Sequence, residues 1–195
     1  DPANGPEPIE WIVLDAPNGK SMLISENGLT SEYFDQHDPL MQITWENCSL
    51  RTWLNEDFTT EAFDAEEQSI VLKNYVDNSK AQGNQNYNSV YINNTYDQVY
   101  LLSYAELNRF FTEQEDRMCP PMSEVSKKGL SIDPETGSCR WWLRSPGSIT
   151  GQSSYVDSDG SCHSTMAKTI FAIRPVIWVD MKALENFFTN QALAS

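Results

Sequence analysis

The apolar residues of this chain come in short runs separated by turn-forming residues, and this pattern constrains the fold more than any other feature. The main runs lie at residues 9–14, 21–25, 99–102, 140–144 and 169–179. Runs of this length, bounded by Gly, Pro, Asn and Ser, are typical of short strands. Asn18-Gly19 between the first two runs predicts a tight hairpin. About half a dozen such strands, unevenly interleaved with roughly three or four short helices, predict an α+β fold rather than a doubly wound sheet.

Capping signals predict where helices begin. Asp64 with Glu67, and Ser103 with Glu106, have the spacing of a capping box. The second of these helices is expected to run through Phe111. Apolar residues near helical spacing predict one more helix within residues 44–55, and the predicted strand at 169–179 closes the fold.

The length and the start of the chain indicate one domain behind a linker. A chain of 195 residues can bury a sizeable core in a single domain. Residues 1–8 contain three prolines and do not begin with Met, as expected where a signal segment has been removed. We therefore predict a linker over residues 1–8 and a single domain over residues 9–195.

The charge balance excludes two classes of partner. Lys and Arg number 13 and Asp and Glu number 28, which gives a net charge of -15. Such a surface repels phosphate backbones and anionic lipid headgroups. No apolar run reaches the roughly 18 residues that a membrane-spanning helix needs. We expect neither nucleic acid nor a membrane as a partner, and the sequence leaves the oligomeric state open.

The four cysteines, Cys48, Cys119, Cys139 and Cys162, lack the Cys-x-x-Cys spacing of zinc ribbons and thioredoxin-like sites. Cys119 with Cys139 is the favoured disulfide because both lie in one stretch rich in Gly, Ser and Pro, which leaves Cys48 with Cys162. The alternative is four free thiols in a cytosolic protein. The acidic surface and the proline-rich start favour a secreted or cell-surface protein with disulfides.

Two arginines and two tryptophans lie in apolar strand runs. A buried guanidinium is costly when unpaired, so Arg144 and Arg174 are expected to pair with carboxylates or bind backbone carbonyls, with an anionic-ligand clamp as the alternative. Trp141 and Trp142 should point in opposite directions on one strand. We assign Arg144, Arg174 and Trp142 structural roles and predict that Trp141 faces a ligand, where it could stack on a sugar ring, with a second core tryptophan beneath a loop as the alternative.

Familiar catalytic patterns are absent from the sequence. The chain has 2 histidines, His37 and His163, and no Gly-x-Ser-x-Gly, His-Glu-x-x-His or phosphate-binding Gly-rich loop. An enzyme would need an unfamiliar acid-base site built from Asp157, Asp159 or His163 near Arg144. We assign no catalytic residue and keep this enzyme as an alternative.

Asp157, Asp159 and Gly160 resemble the start of a calcium-binding loop, in which oxygen ligands alternate along the chain. Ser161 and Lys168 occupy the positions where such a loop needs a further ligand and a bidentate glutamate. The sequence therefore predicts a plain Asp-Gly turn, no metal site and no cofactor, with calcium as the alternative.

Six sequence blocks occur in the order seen in one bacterial family. They are residues 9–14, 44–55, 99–103, 142–147, 155–160 and 173–175. On these blocks the chain resembles the family named domain of unknown function 6273. That family occurs largely in Firmicutes, often in exported or surface proteins, and its second half looks similar to C-type lectin-like and formylglycine-generating-enzyme-like folds. The resemblance implies a C-type lectin-like fold with short mixed or antiparallel sheets, a few short helices and long loops, and it implies no activity.

This chain departs from the related families in ways that limit what the resemblance implies. Cys48 stands where the family usually has Ser, so disulfides would be particular to this chain. The Glu-Pro-Asn and Gln-Pro-Asp triplets by which calcium-dependent lectins select sugars do not occur, and nothing matches the copper-binding cysteine pair of formylglycine-generating enzymes. Neither function is carried over.

Two long polar segments, residues 77–98 and 145–163, concentrate Asn, Gln, Ser, Tyr and Trp. Adaptable hydrogen-bonding groups beside aromatic rings are typical of recognition surfaces. We predict a non-catalytic extracellular module that binds a glycan or a protein, with an enzyme or a structural domain of a larger surface protein as alternatives. The predicted binding residues are Tyr87, Tyr91, Trp141, Tyr155, Asp157 and Asp159.

Overall fold

The computed structural model describes residues 8–37, 42–91, 93–122 and 129–194, so the predicted linker lies outside it except for Pro8. The strands are β1 (Trp11–Asp15), β2 (Lys20–Ser25), β3 (Thr30–Tyr33), β4 (Val71–Leu72), β5 (Asn74–Val76), β6 (Thr95–Asp97), β7 (Val99–Tyr100), β8 (Trp141–Pro146), β9 (Gln152–Val156), β10 (Cys162–Met166), β11 (Ile170–Ile173) and β12 (Val176–Asp180). The α-helices are α1 (Ser49–Trp53), α2 (Thr59–Ala62), α3 (Ala65–Ile70), α4 (Tyr104–Phe110) and α5 (Met181–Ala194). Among the helices of these ranges, none combines the length and the apolar character needed to cross a bilayer.

The strands form two five-stranded sheets and one two-stranded sheet. The first sheet has the order β1-β2-β12-β4, and β7 also pairs with β12. The second has the order β10-β9-β8-β11-β3, in which only β8 and β11 run parallel. The third pairs β5 with β6. Short mixed and antiparallel sheets with a few short helices confirm the predicted α+β class.

Local signals placed several elements correctly. β1 and β2 form the predicted hairpin, and its turn residues Asn18 and Gly19 have positive φ angles of 54° and 75°. Hairpin turns of this kind need two such residues, which is why Asn-Gly is favoured there. Both predicted capping boxes form, at the start of α3 and at the start of α4. These features depend on neighbouring residues only, so the sequence was enough.

The strand predicted at residues 169–179 is instead two strands in different sheets. β11 ends at Ile173 and β12 begins at Val176. Pro175 has no amide hydrogen to donate to a sheet, and the Arg174 side chain turns inward to donate a hydrogen bond from Nε to the Ser25 carbonyl over 2.8 Å. The break lets one continuous segment join the two main sheets.

The helix predicted within residues 44–55 begins later than expected. The side chain of Asn47 accepts a hydrogen bond from the backbone N–H of Thr44 over 2.8 Å, and residues 45–47 form a turn. Asn is favoured in such turns because its side chain competes for backbone groups. α1 therefore begins at Ser49, and a π-helical turn at Leu54–Phe58 leads into α2.

Both tryptophans of β8 are fully buried, which corrects the prediction that Trp141 faces a ligand. Each has 0% exposure, because β8 lies inside the second sheet and both of its faces are covered. Trp141 donates its indole N–H to the Arg117 carbonyl over 2.9 Å, and Trp142 donates to the Glu32 carbonyl over 3.0 Å. An enclosed ring offers no face to a ligand.

Candidate functional site

A row of rings crosses the second sheet from its core to its outer edge. Trp142 on β8 is directly opposite Tyr155 on β9, which is directly opposite His163 on β10. The ring centroids of Tyr155 and His163 are 5.9 Å apart, and those of Trp142 and Tyr155 are 6.4 Å apart. Trp142 is buried, Tyr155 half-buried and His163 exposed. The row therefore brings an aromatic surface out to solvent on a rigid sheet.

The turn between β9 and β10 adds polar groups to this surface. Ser161 donates its hydroxyl hydrogen to Asp159 and also contacts Nε2 of His163 over 2.9 Å. Because the one hydroxyl hydrogen goes to the carboxylate, the serine oxygen is left to accept from the imidazole N–H. We call Tyr155, Asp157, Asp159, Ser161 and His163 the tyrosine–histidine face.

Both carboxyl groups of this face are stabilised as anions. The hydroxyl and the backbone N–H of Ser161 hold the pKa of Asp159 below its ordinary value. Burial by itself would raise the pKa of Asp157. Hydrogen bonds from Arg140 and the Ser158 backbone outweigh burial and hold this pKa below its ordinary value. Nε of Arg140 lies 2.9 Å from Oδ1 of Asp157. Two ionised, hydrogen-bonded carboxylates suit ligand binding better than proton transfer.

The turn that carries Asp159 is braced from outside the sheet. Gly160 has a φ of 84°, and a Cβ at this position would lie 1.9 Å from the Gln114 carbonyl oxygen. The Gln114 side chain donates to the Asp159 carbonyl over 2.9 Å. Only glycine combines this backbone conformation with such a close approach. The segment after α4 thus fixes the position of the turn.

Arg144 attaches the start of the long polar segment, residues 77–98, to the core. Its guanidinium donates to the carbonyls of Leu101 and Asp77 over 2.9 Å each and forms an ion pair with Glu106. Burial would raise the pKa of Glu106, but the charge and hydrogen bonds of Arg144 outweigh it and hold the pKa below its ordinary value. Arg144 is 2% exposed, so it has a structural position here.

The other end of the same segment is held by Asp97, which is fully buried. Asp97 accepts hydrogen bonds from the Trp45 indole over 2.9 Å, the Arg51 guanidinium over 2.8 Å and the Thr95 hydroxyl over 2.7 Å. Pairing of β5 with β6 closes the base of the segment. The long polar loop is therefore anchored at both ends rather than free.

The two tyrosines predicted in this segment lie in different places. Tyr87 is half-buried and lies close enough to Tyr155 to contribute to the raised pKa of that phenol, which is due mainly to burial. Tyr91 lines a cavity of about 20 Å³ with Arg144, and its hydroxyl occupies the space beside Gly83 where a larger residue would put its Cβ. Such a cavity holds about one water molecule. Tyr91 is therefore part of the packing.

The structure brings together Tyr155, Asp157 and Asp159, with Tyr87 beside them, and it separates Tyr91 and Trp141 from this group. Ser161 and Arg140 were not predicted at the site. Ser161 directly follows the predicted Asp159-Gly160 turn, which is the one local signal for it, whereas nothing in the local sequence links Arg140 to Asp157, 17 residues away.

The calcium alternative fits this turn poorly. Within the described ranges, no group of three or more His, Cys, Asp or Glu is arranged to hold a metal ion. The physical obstacle is the Arg140 guanidinium, whose Nε contacts the Asp157 carboxylate at 2.9 Å. A calcium ion at Asp157 would have to displace this cation or share the carboxylate with it.

All four cysteines are free thiols in the structure, so neither predicted disulfide is formed. The thiols of Cys119 and Cys139 are nevertheless hydrogen-bonded neighbours, and this contact, with the charge of Arg174, lowers the pKa of Cys119. Cys48 and Cys162 do not share neighbours: the Cys48 thiol donates to the Trp45 carbonyl, whereas Cys162 contacts Arg117. The Cys139 backbone N–H and thiol both donate to the Cys119 carbonyl, over 2.9 Å and 3.2 Å, so the first pair lies side by side.

The fold and the site together define an α+β domain that presents a polar and aromatic surface on sheet edges and loops. The family described as domain of unknown function (DUF6273) matches residues 18–181, and the chain belongs to this family. The matched range includes β2 to β12 and the whole tyrosine–histidine face. No curated protein and no solved structure matches the chain.

Proposed function

We propose that this protein is a non-catalytic recognition module and that it binds a glycan on the tyrosine–histidine face. The proposal includes a C-type lectin-like arrangement of the fold and a secreted or cell-surface location in a bacterium of the Firmicutes. The family resemblance and the acidic surface support these two parts. A disulfide between Cys119 and Cys139 belongs to the same proposal, since the Cys139 thiol already donates to the Cys119 carbonyl over 3.2 Å.

One observation carries the proposal: the row from Trp142 through Tyr155 to His163 ends at an exposed edge strand beside Asp159 and Ser161. A sugar ring has an apolar side that packs on an aromatic ring and hydroxyl groups that bond planar polar side chains. The face offers both within one rigid strand pair. Its rings are supported from below, because Tyr155 packs on Phe171 with centroids 4.6 Å apart.

The geometry favours binding over acid-base catalysis. A general acid would need a carboxyl pKa above its ordinary value, whereas hydrogen bonds lower the pKa of both Asp157 and Asp159. The Ser161 hydroxyl donates to a carboxylate and not to the imidazole, so His163 is not placed to withdraw its proton. The face is also open, and open sites do not exclude water from a reaction.

The test is a glycan array probed with the purified chain, once with calcium and once with a chelator. We expect reproducible hits that persist in chelator, because the Arg140 guanidinium already pairs with Asp157 where a calcium ion would have to bind. His163→Ala should weaken the best hit by at least about fivefold through loss of one ring contact. His37→Ala is the matched control, since it removes the other exposed histidine outside the face.

An array without hits would overturn the glycan proposal and direct attention to protein partners. Equal effects of His163→Ala and His37→Ala would show that the glycan binds elsewhere. Hits that disappear with chelator would contradict the poor fit of calcium at Asp157 and revive the metal-dependent alternative.

A further inference from the structure

A wide groove among the described residues lies on the first sheet, whereas the tyrosine–histidine face lies on the second. The groove has a volume of about 800 Å³ and lies between β2 and β12 on its floor and the helices α3 and α5 on its sides. This volume is within the range of roughly 300–1,000 Å³ that ligand sites occupy. None of its lining residues belongs to the tyrosine–histidine face, so the groove is an independent feature.

The walls of the groove are almost entirely apolar. Apart from Glu61 and Glu67, every described residue that lines it is apolar. Trp11 stacks on Phe63 with ring centroids 6.4 Å apart on one side, and Phe187 contacts Phe188 at 5.5 Å on the other. Phe188 remains 59% exposed. Exposed aromatic surface next to a large apolar groove is typical of an interaction site.

The two charges at the groove are both negative. Glu61 is exposed, Glu67 is half-buried, and none of the described lining residues is Lys, Arg or His. The whole chain carries a net charge of -15. An apolar floor with an acidic rim is complementary to a ligand that is apolar on one side and basic beside it.

Charge and chemistry argue against other occupants. A second copy of this chain would bring another strongly negative surface to the acidic rim, and a fatty acid would bring a carboxylate. Residues 1–7 precede Pro8 at the groove, but they contain two acidic residues and no large apolar side chain. An amphipathic segment with Lys or Arg next to its apolar stripe satisfies both the floor and the rim.

We propose that this groove binds a basic amphipathic helix of another protein, with the apolar face of that helix against the part-exposed Trp11 and Leu23 and the exposed Phe188. The α5 residues that line the groove are Leu184, Phe187 and Phe188, so a little over one turn of this helix forms the wall against which such a segment can pack. The floor of the groove and both of its glutamates lie inside the range 18–181 matched by the family, whereas the lining residues of α5 and of the segment before β2 lie outside it.

The test uses fluorescence anisotropy with a labelled synthetic helix of about 18 residues, with Leu on one face and Lys on the other. A matched peptide with Glu in place of Lys measures the contribution of charge. We expect the Lys peptide to bind at least about tenfold more tightly than the Glu peptide to the full chain. His163→Ala should leave this binding unchanged, which separates the result from the glycan proposal.

Two pairs of variants locate the peptide on the protein. Phe188→Ser should weaken binding of the Lys peptide by about fivefold or more, whereas Leu193→Ser should not, because Leu193 is exposed on the same helix but does not line the groove. Glu61→Lys should weaken binding much more than Glu135→Lys. Both substitutions change the net charge equally, and Glu135 lies in an exposed turn away from the groove.

Three results would overturn the proposal. Equal losses in Glu61→Lys and Glu135→Lys would show that net charge alone attracts the peptide. Equal effects of Phe188→Ser and Leu193→Ser would place the apolar contact elsewhere. A dimer in sedimentation that Phe188→Ser dissociates would identify a second copy as the occupant.

Discussion

At the scale of single residues, the two buried arginines of this protein differ in how fully they are paired: Arg144 has an ion pair, whereas Arg174 donates from Nε to the Ser25 carbonyl and its Nη1 has no hydrogen-bond partner among the described residues. Arg144 is 2% exposed, and its donors reach two backbone carbonyls and the Glu106 carboxylate. Arg174 is equally buried and lies between the rings of Phe111 and Trp141, with its Cζ 5.2 Å and 5.1 Å from their centroids. Removal of one partner leaves a charge without compensation in a poorly solvated place.

Glu106→Gln tests this dependence. We expect it to destabilise the fold at neutral pH by about 3 kcal/mol, because Arg144 stays buried and loses its counter-charge. The folded pKa of Glu106 is depressed, so its stabilisation is present above the ordinary pKa of glutamate and lost as the pH falls through the folded value. The difference from the unmodified protein should therefore shrink in acid.

Urea denaturation across the acid range measures this difference. Glu113→Gln is the control, since Glu113 is an exposed glutamate beyond the same helix. A deficit for Glu106→Gln that is the same at neutral and at acidic pH would contradict the ion-pair explanation.

The cysteine contacts lead to a second prediction at this scale. Diamide should join Cys119 to Cys139, since each thiol loses one hydrogen and the diamide takes up both. Both thiols are fully buried, so this reaction should require local opening of the fold and proceed slowly. Burial raises the pKa of Cys48 to about 12 and its thiol donates to the Trp45 carbonyl, so Cys48 should form no link.

Alkylation of the unfolded protein, followed by measurement of its intact mass, counts the thiols that remain free. We expect two of the four thiols to remain alkylatable after oxidation and all four in the untreated protein. Cys139→Ser should abolish the intramolecular link. A link that persists in this variant, or one that involves Cys48, would show that the contact between Cys119 and Cys139 does not direct the reaction.

At the scale of elements, the turn between β9 and β10 positions the candidate site. Gly160→Ala should displace the turn from its contact with Gln114, because the added Cβ would lie 1.9 Å from the Gln114 carbonyl oxygen. We expect a loss of about 1–3 kcal/mol in stability and a loss of glycan binding greater than that of His163→Ala.

Gly137→Ala separates steric contact from backbone strain. Gly137 has a similar φ of 70°, but a Cβ there would meet nothing within 4 Å. Gly137→Ala should lower the free energy of unfolding by about 1 kcal/mol, because of its backbone conformation alone, and should leave glycan binding intact. Thermal unfolding of the two variants gives the comparison, and equal losses of binding would refute the bracing role of Gln114.

The helices and strands also differ in whether the nearby sequence was enough to predict them. The capping boxes at Asp64 and Ser103 and the Asn18-Gly19 hairpin were predicted correctly, because the groups that stabilise them are a few residues apart. β3, β10 and α5 were not predicted. β3 is held mainly by pairing with β11, which follows it by well over a hundred residues, and nothing in its own sequence encodes that partner.

At the scale of the whole molecule, the two proposed surfaces arise from the two main sheets. The first sheet carries the apolar groove under α3 and α5, and the second carries the tyrosine–histidine face on its edge. The segment from β11 through Pro175 to β12 joins the sheets. A ligand on one surface and a helix on the other could therefore be bound by the same molecule without overlap.

The sequence by itself determined the α+β class, the membership in its family, the exclusion of a strongly basic surface and the chemistry of the 157–163 turn. These properties depend on composition, on the order of motifs and on hydrogen bonds between residues close together in the chain. Tertiary structure alone decided that Trp141 is buried and Tyr155 half-exposed, and that an apolar groove opens between the first sheet and α5. Those outcomes depend on which distant strands pair and which faces are then covered, and residue spacing does not contain that information.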